Sequence, residues 1–113
     1  MPYIETKTNV KITPAAADAI KARLGKAIET IPGKSERWLM LSFSGEQTFY
    51  FAGSDAPCAI AEIKIFGSAS APVLEKMTEQ VTAILSGELS LPADRIYVKY
   101  EFCENWGWNG GNF

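Results

Sequence analysis

The sequence predicts an α/β (α+β) chain in which two strand–helix–strand units form one four-stranded mixed sheet, with both helices on one face. Three observations carry this. Alternation with a period of two runs through Tyr3–Val10, Cys58–Phe66 and Arg95–Phe102. Apolar stripes at three- and four-residue spacing follow Pro14 and Pro72. The order strand, helix, strand then recurs with little letter-for-letter identity, so the repeat is architectural. Each unit reads as a crossover joining parallel strands, which places the helices together on one face. At 113 residues the chain has the length of a single domain, 1–113.

The first strand sets Ile4, Thr6, Thr8 and Val10 against Tyr3, Glu5, Lys7 and Asn9. Thr13 is a helix N-cap, and Pro14 takes the first helical position, where its missing N–H costs nothing. Ile20, Leu24, Ile28 and Ile31 form the helix stripe, and Pro32-Gly33 stops it. The short apolar run Trp38–Phe43 reads as a strand covered on both faces. Ser44-Gly45-Glu46 turns into Thr48–Phe51, a hairpin arm, and Gly53–Pro57 is a loop. The next strand puts Ala61, Ile63 and Ile65 opposite Ile60, Glu62, Lys64 and Phe66. A second helix carries Leu74, Met77, Val81, Ile84 and Leu85, with Gly87 just beyond its end. After the turn Leu91–Asp94, the last long strand sets Ile96, Val98, Tyr100 and Phe102 against Arg95, Tyr97, Lys99 and Glu101.

Two helices cover only one face of such a sheet. The other face is expected to carry large apolar groups whichever strand face is chosen. Exposing them is unfavourable by roughly 25 cal/mol per Å². The expectation is therefore a homo-oligomer whose sheets pack inward on one another.

Composition removes several functional classes. The chain has no histidine, which excludes a Ser-His-Asp triad, a Cys-His dyad and every His-containing zinc site. A net charge of −2 argues against non-specific nucleic-acid binding. No apolar stretch is long enough for membrane insertion, and the start lacks the basic and apolar regions of a signal peptide. Cys58 and Cys103 cannot make a disulfide framework and suit a reducing compartment, so the expected location is cytoplasmic.

Pro2 has two readings. It is either a small starter residue or, once Met1 is removed, a free secondary amine. An α-amine titrates at about 8 in model peptides. Burial and a neighbouring cation both lower that value, leaving the amine partly neutral at pH 7 and able to act as a general base. Such a base would supply what the missing histidine cannot.

The start Met1-Pro2, the segments Thr8-Asn9-Val10 and Gly33-Lys34, and the run Gly53-Ser54-Asp55-Ala56-Pro57-Cys58-Ala59 occur in register with two later segments. These are Pro92-Ala93-Asp94-Arg95-Ile96-Tyr97-Val98 and the tail Gly107-Trp108-Asn109 to Phe113. Together they resemble the macrophage migration inhibitory factor family of the tautomerase superfamily, in particular its microbial and invertebrate members. The resemblance runs end to end, with a short deletion before Trp106. It implies the tautomerase fold and a homotrimer with active sites at the subunit interfaces. It also implies keto–enol tautomerisation of phenylpyruvate-like α-keto acids, with dopachrome-like compounds as further substrates. The N-terminal proline is the proton shuttle, and no metal or organic cofactor is needed.

Carried over by position, the resemblance implies Pro2 as general base and Lys34 as the lysine that binds the substrate carboxylate. Phe66 is the position whose backbone N–H meets the substrate, and Tyr97 is a pocket tyrosine given by a neighbouring subunit. Trp38, Trp106, Trp108 and Phe113 fall where apolar or aromatic residues wall the pocket. Lys99 stands where mammalian members have asparagine; it either tightens carboxylate binding or projects to solvent. Trp106 replaces a smaller aliphatic residue and is expected to narrow or reshape the pocket mouth. The mammalian Cys-x-x-Cys pair is reduced here to Cys58, with Ala61 at the second position, so a thioredoxin-like function has no second thiol.

Taken singly, these residues also have plain readings. Lys34 reads as a solvated residue near a helix end, Tyr97 as a strand residue with a wet hydroxyl, and the tryptophans of the tail as packing. Three functional readings follow. One is a phenylpyruvate-type tautomerase. The second is a non-catalytic, cytokine-like signalling ligand on the same trimer, with a host or self receptor as partner. The third is an unrelated small α/β binding module, against which the register of Pro2, Lys34 and the tail argues. Animal members of the family are secreted without a signal peptide, so export stays compatible with this N-terminus.

Overall fold

In the computed structural model, which describes residues 1–113, strand β1 (Pro2–Thr8) lies inside the sheet. It runs parallel to β2 (Met40–Ser44) on one side and antiparallel to β3 (Ala59–Phe66) on the other. Strand β4 (Ile96–Cys103) pairs in parallel with β3, giving the order β2-β1-β3-β4 with β2 and β4 as open edges. Each half of the chain is therefore a parallel strand pair joined through a helix, as the periodicity predicts.

Helix α1 (Pro14–Ala27) begins as expected, with the Thr13 hydroxyl accepting from the Ala16 N–H at 3.1 Å. It tightens into a 3₁₀ turn over Ile28–Thr30. The whole stripe Ile20, Leu24, Ile28 and Ile31 is buried. Helix α2 (Ala71–Leu89) is capped by Ser70. Gly87 lies inside this helix and not beyond it, a correction to the sequence expectation. The stop comes at Ser90, left-handed at φ 54°, where the Ser86 hydroxyl donates to the Leu91 carbonyl at 2.6 Å. A glycine tolerated mid-helix is a weaker terminator than a left-handed residue with its own hydrogen bonds.

One face of the sheet and both helices share a single core. Ile4 of β1 and Ala61, Ile63 and Ile65 of β3 pack with Ile20, Leu24, Met77, Val81 and Leu85. Thr8 is buried beside them with its hydroxyl donating to the Cys58 carbonyl. Thr6 is equally buried, and its hydroxyl has no partner. No helix is long and apolar enough to cross a membrane.

Three further expectations are corrected. Trp38 is not in a strand; Glu36–Trp38 is a 3₁₀ turn ahead of β2. Strand β2 is not covered on both faces, because it is an edge strand whose first residue, Met40, is 67% exposed. The hairpin arm at Thr48–Phe51 is absent; Phe51 and Ser54 instead close one tight turn with both Ala52 and Gly53 at positive φ.

The open face of the sheet also differs from expectation, because charge dominates it. Across the strands, Glu5 sits between Ser42 and Glu62, and Glu62 lies opposite Lys99. The next row sets Tyr3 between Met40 and Lys64, with Lys64 opposite Glu101. Lys7 bridges Glu5 at 2.8 Å and Glu62 at 3.5 Å, and Lys99 meets Glu101 at 3.3 Å. Hydrogen bonding from Lys7, then from Tyr3, holds the Glu5 carboxyl below its usual range. Tyr97 shares this face beside Ile60, in the row of Lys7, and Tyr50, Phe102, Trp108 and Phe113 are exposed elsewhere.

Candidate active site at the N-terminus

The start of β1 meets the end of β3. Pro2 is buried and pairs with Ile65, while the Phe66 N–H donates to the Met1 carbonyl at 3.1 Å. Gly67, at φ +102°, lets the chain leave the strand there, and its N–H bonds the Cys103 carbonyl.

Lys34 reaches the same point from the other half of the molecule. Gly33 at φ +79° turns the chain after the helix, and the Lys34 N–H returns to the Ile31 carbonyl. The Lys34 Nζ donates to the Phe66 carbonyl at 2.9 Å, which fixes its charge next to the chain terminus. The terminal amine is lowered from 8.0 to about 6, chiefly by burial and then by the charge and hydrogen bond of Lys34. The amine in this state belongs to Met1.

The wall of the site is aromatic. The tail folds back as a hairpin, β5 (Gly107–Trp108) and β6 (Gly111–Asn112), through Asn109 and Gly110, both at positive φ. That is the Asn-Gly turn favoured in two-residue hairpins, a signal present in the sequence but not read as one. The hairpin brings Trp108 to 5.0 Å from Trp38, edge to face, and Phe113 to 6.1 Å from Trp38. Phe113 stacks with Trp108 at 6.0 Å and lies 6.0 Å from Phe66. Such pairs add roughly 0.5–1.5 kcal/mol each beyond their buried area.

The structure thus gathers Pro2, Lys34, Phe66, Trp38, Trp108 and Phe113. Trp106 joins through its backbone, its carbonyl accepting from the Phe113 N–H at 3.0 Å; its ring pairs with no other ring of the wall. Tyr97 and Lys99 are not brought to this cluster within one protomer. Tyr97 is paired with Ile60, five residues down β3 from Ile65, or about 17 Å along the strand. Lys99 stands on the open face in its ion pair with Glu101.

Tyr97 instead borders an apolar cavity of about 570 Å³ with Phe49, Tyr50, Phe51, Cys58 and Ile60. Two of the segments singled out in the sequence build this region. Asn9 donates to the Asp55 and Ala56 carbonyls and accepts from the Cys58 N–H. The Arg95 guanidinium donates to the carbonyls of Phe51, Ser54, Ala56 and Pro57. It also lies 5.1 Å over the Phe51 ring, which packs 4.6 Å from Tyr97. These residues hold a loop and do not reach the N-terminus. Sequence reasoning passed over Arg37, whose guanidinium lies 5.2 Å over the Trp38 ring.

A family model described as macrophage migration inhibitory factor (MIF) matches residues 1–113. Among curated proteins, the chain is similar to macrophage migration inhibitory factor of Xenopus laevis, at 29% identity over all of this chain and 99% of the relative. Among solved structures, Leishmania major MIF2 superposes with a TM-score of 0.94 and 32% identity, covering 100% of this chain and 97% of the other. The macrophage migration inhibitory factor of Toxoplasma gondii gives 0.86 and 25%, over 98% and 99%.

Proposed function

The chain belongs to the macrophage migration inhibitory factor family, and from that premise we propose that it is a keto–enol tautomerase of phenylpyruvate-like α-keto acids. Its general base is the Pro2 amine exposed by loss of Met1. The observation that carries this reading is the placing of the chain start beside Lys34, where burial and that lysine lower the Met1 amine to about 6, in a chain without histidine. Burial and the Lys34 charge act the same way on a Pro2 amine at that place, favouring the neutral form that proton abstraction needs.

The reaction needs one proton moved between two atoms. The neutral Pro2 nitrogen takes a proton from C3 of the keto acid, and the C–H electron pair moves to form the C2–C3 double bond. The carbonyl oxygen takes the charge and then a proton from the prolinium. Lys34 binds the substrate carboxylate, and the aromatic wall of Trp38, Trp108 and Phe113 takes the aryl group. Excision of Met1 also releases the Phe66 N–H from the Met1 carbonyl, so that donor becomes free for a substrate oxygen. A retained Met1 disables the site twice, turning the Pro2 nitrogen into an amide and occupying the Phe66 donor.

The same reading includes a homotrimer. Tyr97 stands about 17 Å along the strand from the partner of Pro2 and Lys99 is engaged with Glu101, which supports their supply by a neighbouring copy. The open edges β2 and β4 and the exposed aromatic residues are the surfaces available for that contact.

The test joins intact mass with an assay. Protein short of one methionine should enolise phenylpyruvate and hydroxyphenylpyruvate and sediment as a trimer. Pro2→Gly should lower kcat/KM by at least about a hundredfold. A wild-type rate no higher than buffer, with Met1 verifiably absent, overturns the proposal.

A further inference from the structure

The aromatic wall carries a second cation that the proposed reaction leaves idle. The Arg37 guanidinium lies 5.2 Å from the Trp38 ring centroid, within cation–π range. It has no carboxylate partner: the ion pairs of the chain use Lys7, Arg23 and Lys99. The arginine side chains that find hydrogen-bond acceptors are Arg23 and Arg95. The carboxylate next to it in sequence, Glu36, packs instead against Gly25 of α1.

Lys34 marks the other end of the same wall, with its Nζ on the Phe66 carbonyl and no carboxylate. Ring contacts from Phe66 through Phe113 to Trp38 link the two cations. The aromatic wall therefore has two cations against it, Lys34 by Phe66 and Arg37 over Trp38, neither held in an ion pair. A guanidinium stacked on a ring keeps its orientation while its N–H fork remains free for a planar anion.

We propose that the site selects dianionic aryl α-keto acids, with the α-keto carboxylate at Lys34 and a second carboxylate on the ring held by Arg37. The inference rests on the tautomerase reading for the pose of the substrate, but its test does not depend on turnover. Arg37 acts as a specificity residue; if it merely covered Trp38, its loss would weaken both kinds of acid in parallel.

The experiment compares phenylpyruvate with 4-carboxyphenylpyruvate on the Met1-free protein, as wild type, Arg37→Gln and Arg37→Lys. Binding is read from quenching of tryptophan fluorescence, since Trp38 and Trp108 line the site, and kcat/KM is measured alongside. Wild type should bind the dianion about tenfold more tightly than the monoanion at low salt. That preference should fall toward unity at about 0.5 M salt, where charges at an exposed site are screened. Arg37→Gln should bring the ratio close to one at low salt, while Arg37→Lys should retain part of it. A wild-type ratio of one or less, or an Arg37→Gln ratio equal to wild type, overturns the proposal. Absence of turnover with both acids refutes the tautomerase reading alone, and the quenching ratio still decides the role of Arg37.

Discussion

Replacing Lys34 by glutamine separates its two proposed roles, tuning the base and anchoring the substrate. Catalysis requires the neutral amine, so kcat/KM rises with pH through the amine pKa and levels off above it. The terminal amine is lowered from 8.0 to about 6 by three influences, of which burial is the largest and the charge and hydrogen bond of Lys34 are the other two. Lys34 therefore supplies the second and third of these influences, after burial. Excision of Met1 leaves the amine on Pro2, beside the same lysine and the same aromatic wall. The rising limb should stand below the usual α-amine value in wild type, as burial and Lys34 require of an amine at this place, and Lys34→Gln should move it upward.

The anchoring role appears where both amines are neutral. At about pH 8.5, Lys34→Gln should lower kcat/KM about tenfold to a hundredfold, the effect of losing one charge-assisted hydrogen bond to a carboxylate. At pH 6 the loss should be greater again, because the variant amine is then more fully protonated than that of wild type. Initial rates of enol formation across this range, with Lys34→Arg as the charge-preserving control, measure both effects. A wild-type limb at 8 or above, or a Lys34→Gln limb that does not move, refutes the reasoning.

Two stability predictions concern the scaffold. The hydroxyl of Thr6 is buried without a partner, so Thr6→Val should raise stability by about 1 kcal/mol, seen as a higher urea midpoint with an unchanged slope. A lower midpoint would show that the hydroxyl is satisfied. Arg95→Ala should cost about 2–3 kcal/mol, because four carbonyls lose one charged donor group. Amide exchange should accelerate over residues 51–57 first, and uniform acceleration across the sheet would contradict a local clamp.

The strand–helix–strand repeat was legible because burial imposes its period directly on the residues. Ile20, Leu24, Ile28 and Ile31, and Ala61, Ile63 and Ile65, are buried as their spacing requires. What the spacing does not carry is which neighbours a strand receives. Trp38–Phe43 has the composition of an interior strand, but strand order makes β2 an edge and leaves Trp38 ahead of it in a turn. Within the site, chain-local contacts such as Lys34 after its glycine turn were readable, and the gathering of Trp38, Trp108 and Phe113 was not. It depends on the tail folding back through Asn109-Gly110 onto a turn some seventy residues earlier. The segments around Asn9 and Arg95 drew attention for the same reason as the site residues, yet their side chains hold a loop.

The charged face changes the physical case for assembly. The alternations of β1, β3 and β4 each had a polar side in the sequence; only the pairing register shows that Glu5, Lys7, Glu62, Lys64, Lys99 and Glu101 share one surface. Three lysines and three glutamates interleave there without net charge. Taking such ions out of water costs several kcal/mol each, which their mutual attraction offsets only in part. A dry sheet-on-sheet interface is therefore the wrong way to bury this face, and an assembly that forms must leave it wet. Association then falls to the two unpaired edges and the aromatic residues near them. The N-terminal cluster lies at the end of the sheet where β2 starts and β4 finishes, whereas Tyr97 and Lys99 lie toward the start of β4. A contact that joins one edge of a copy to the opposite edge of the next is heterologous, and such contacts form a ring when the rotation closes, never a two-fold pair. The need to complete the proposed site and the need to cover the edges thus favour the same cyclic arrangement, with Tyr97 and Ile60 the apolar part that the sheet face offers.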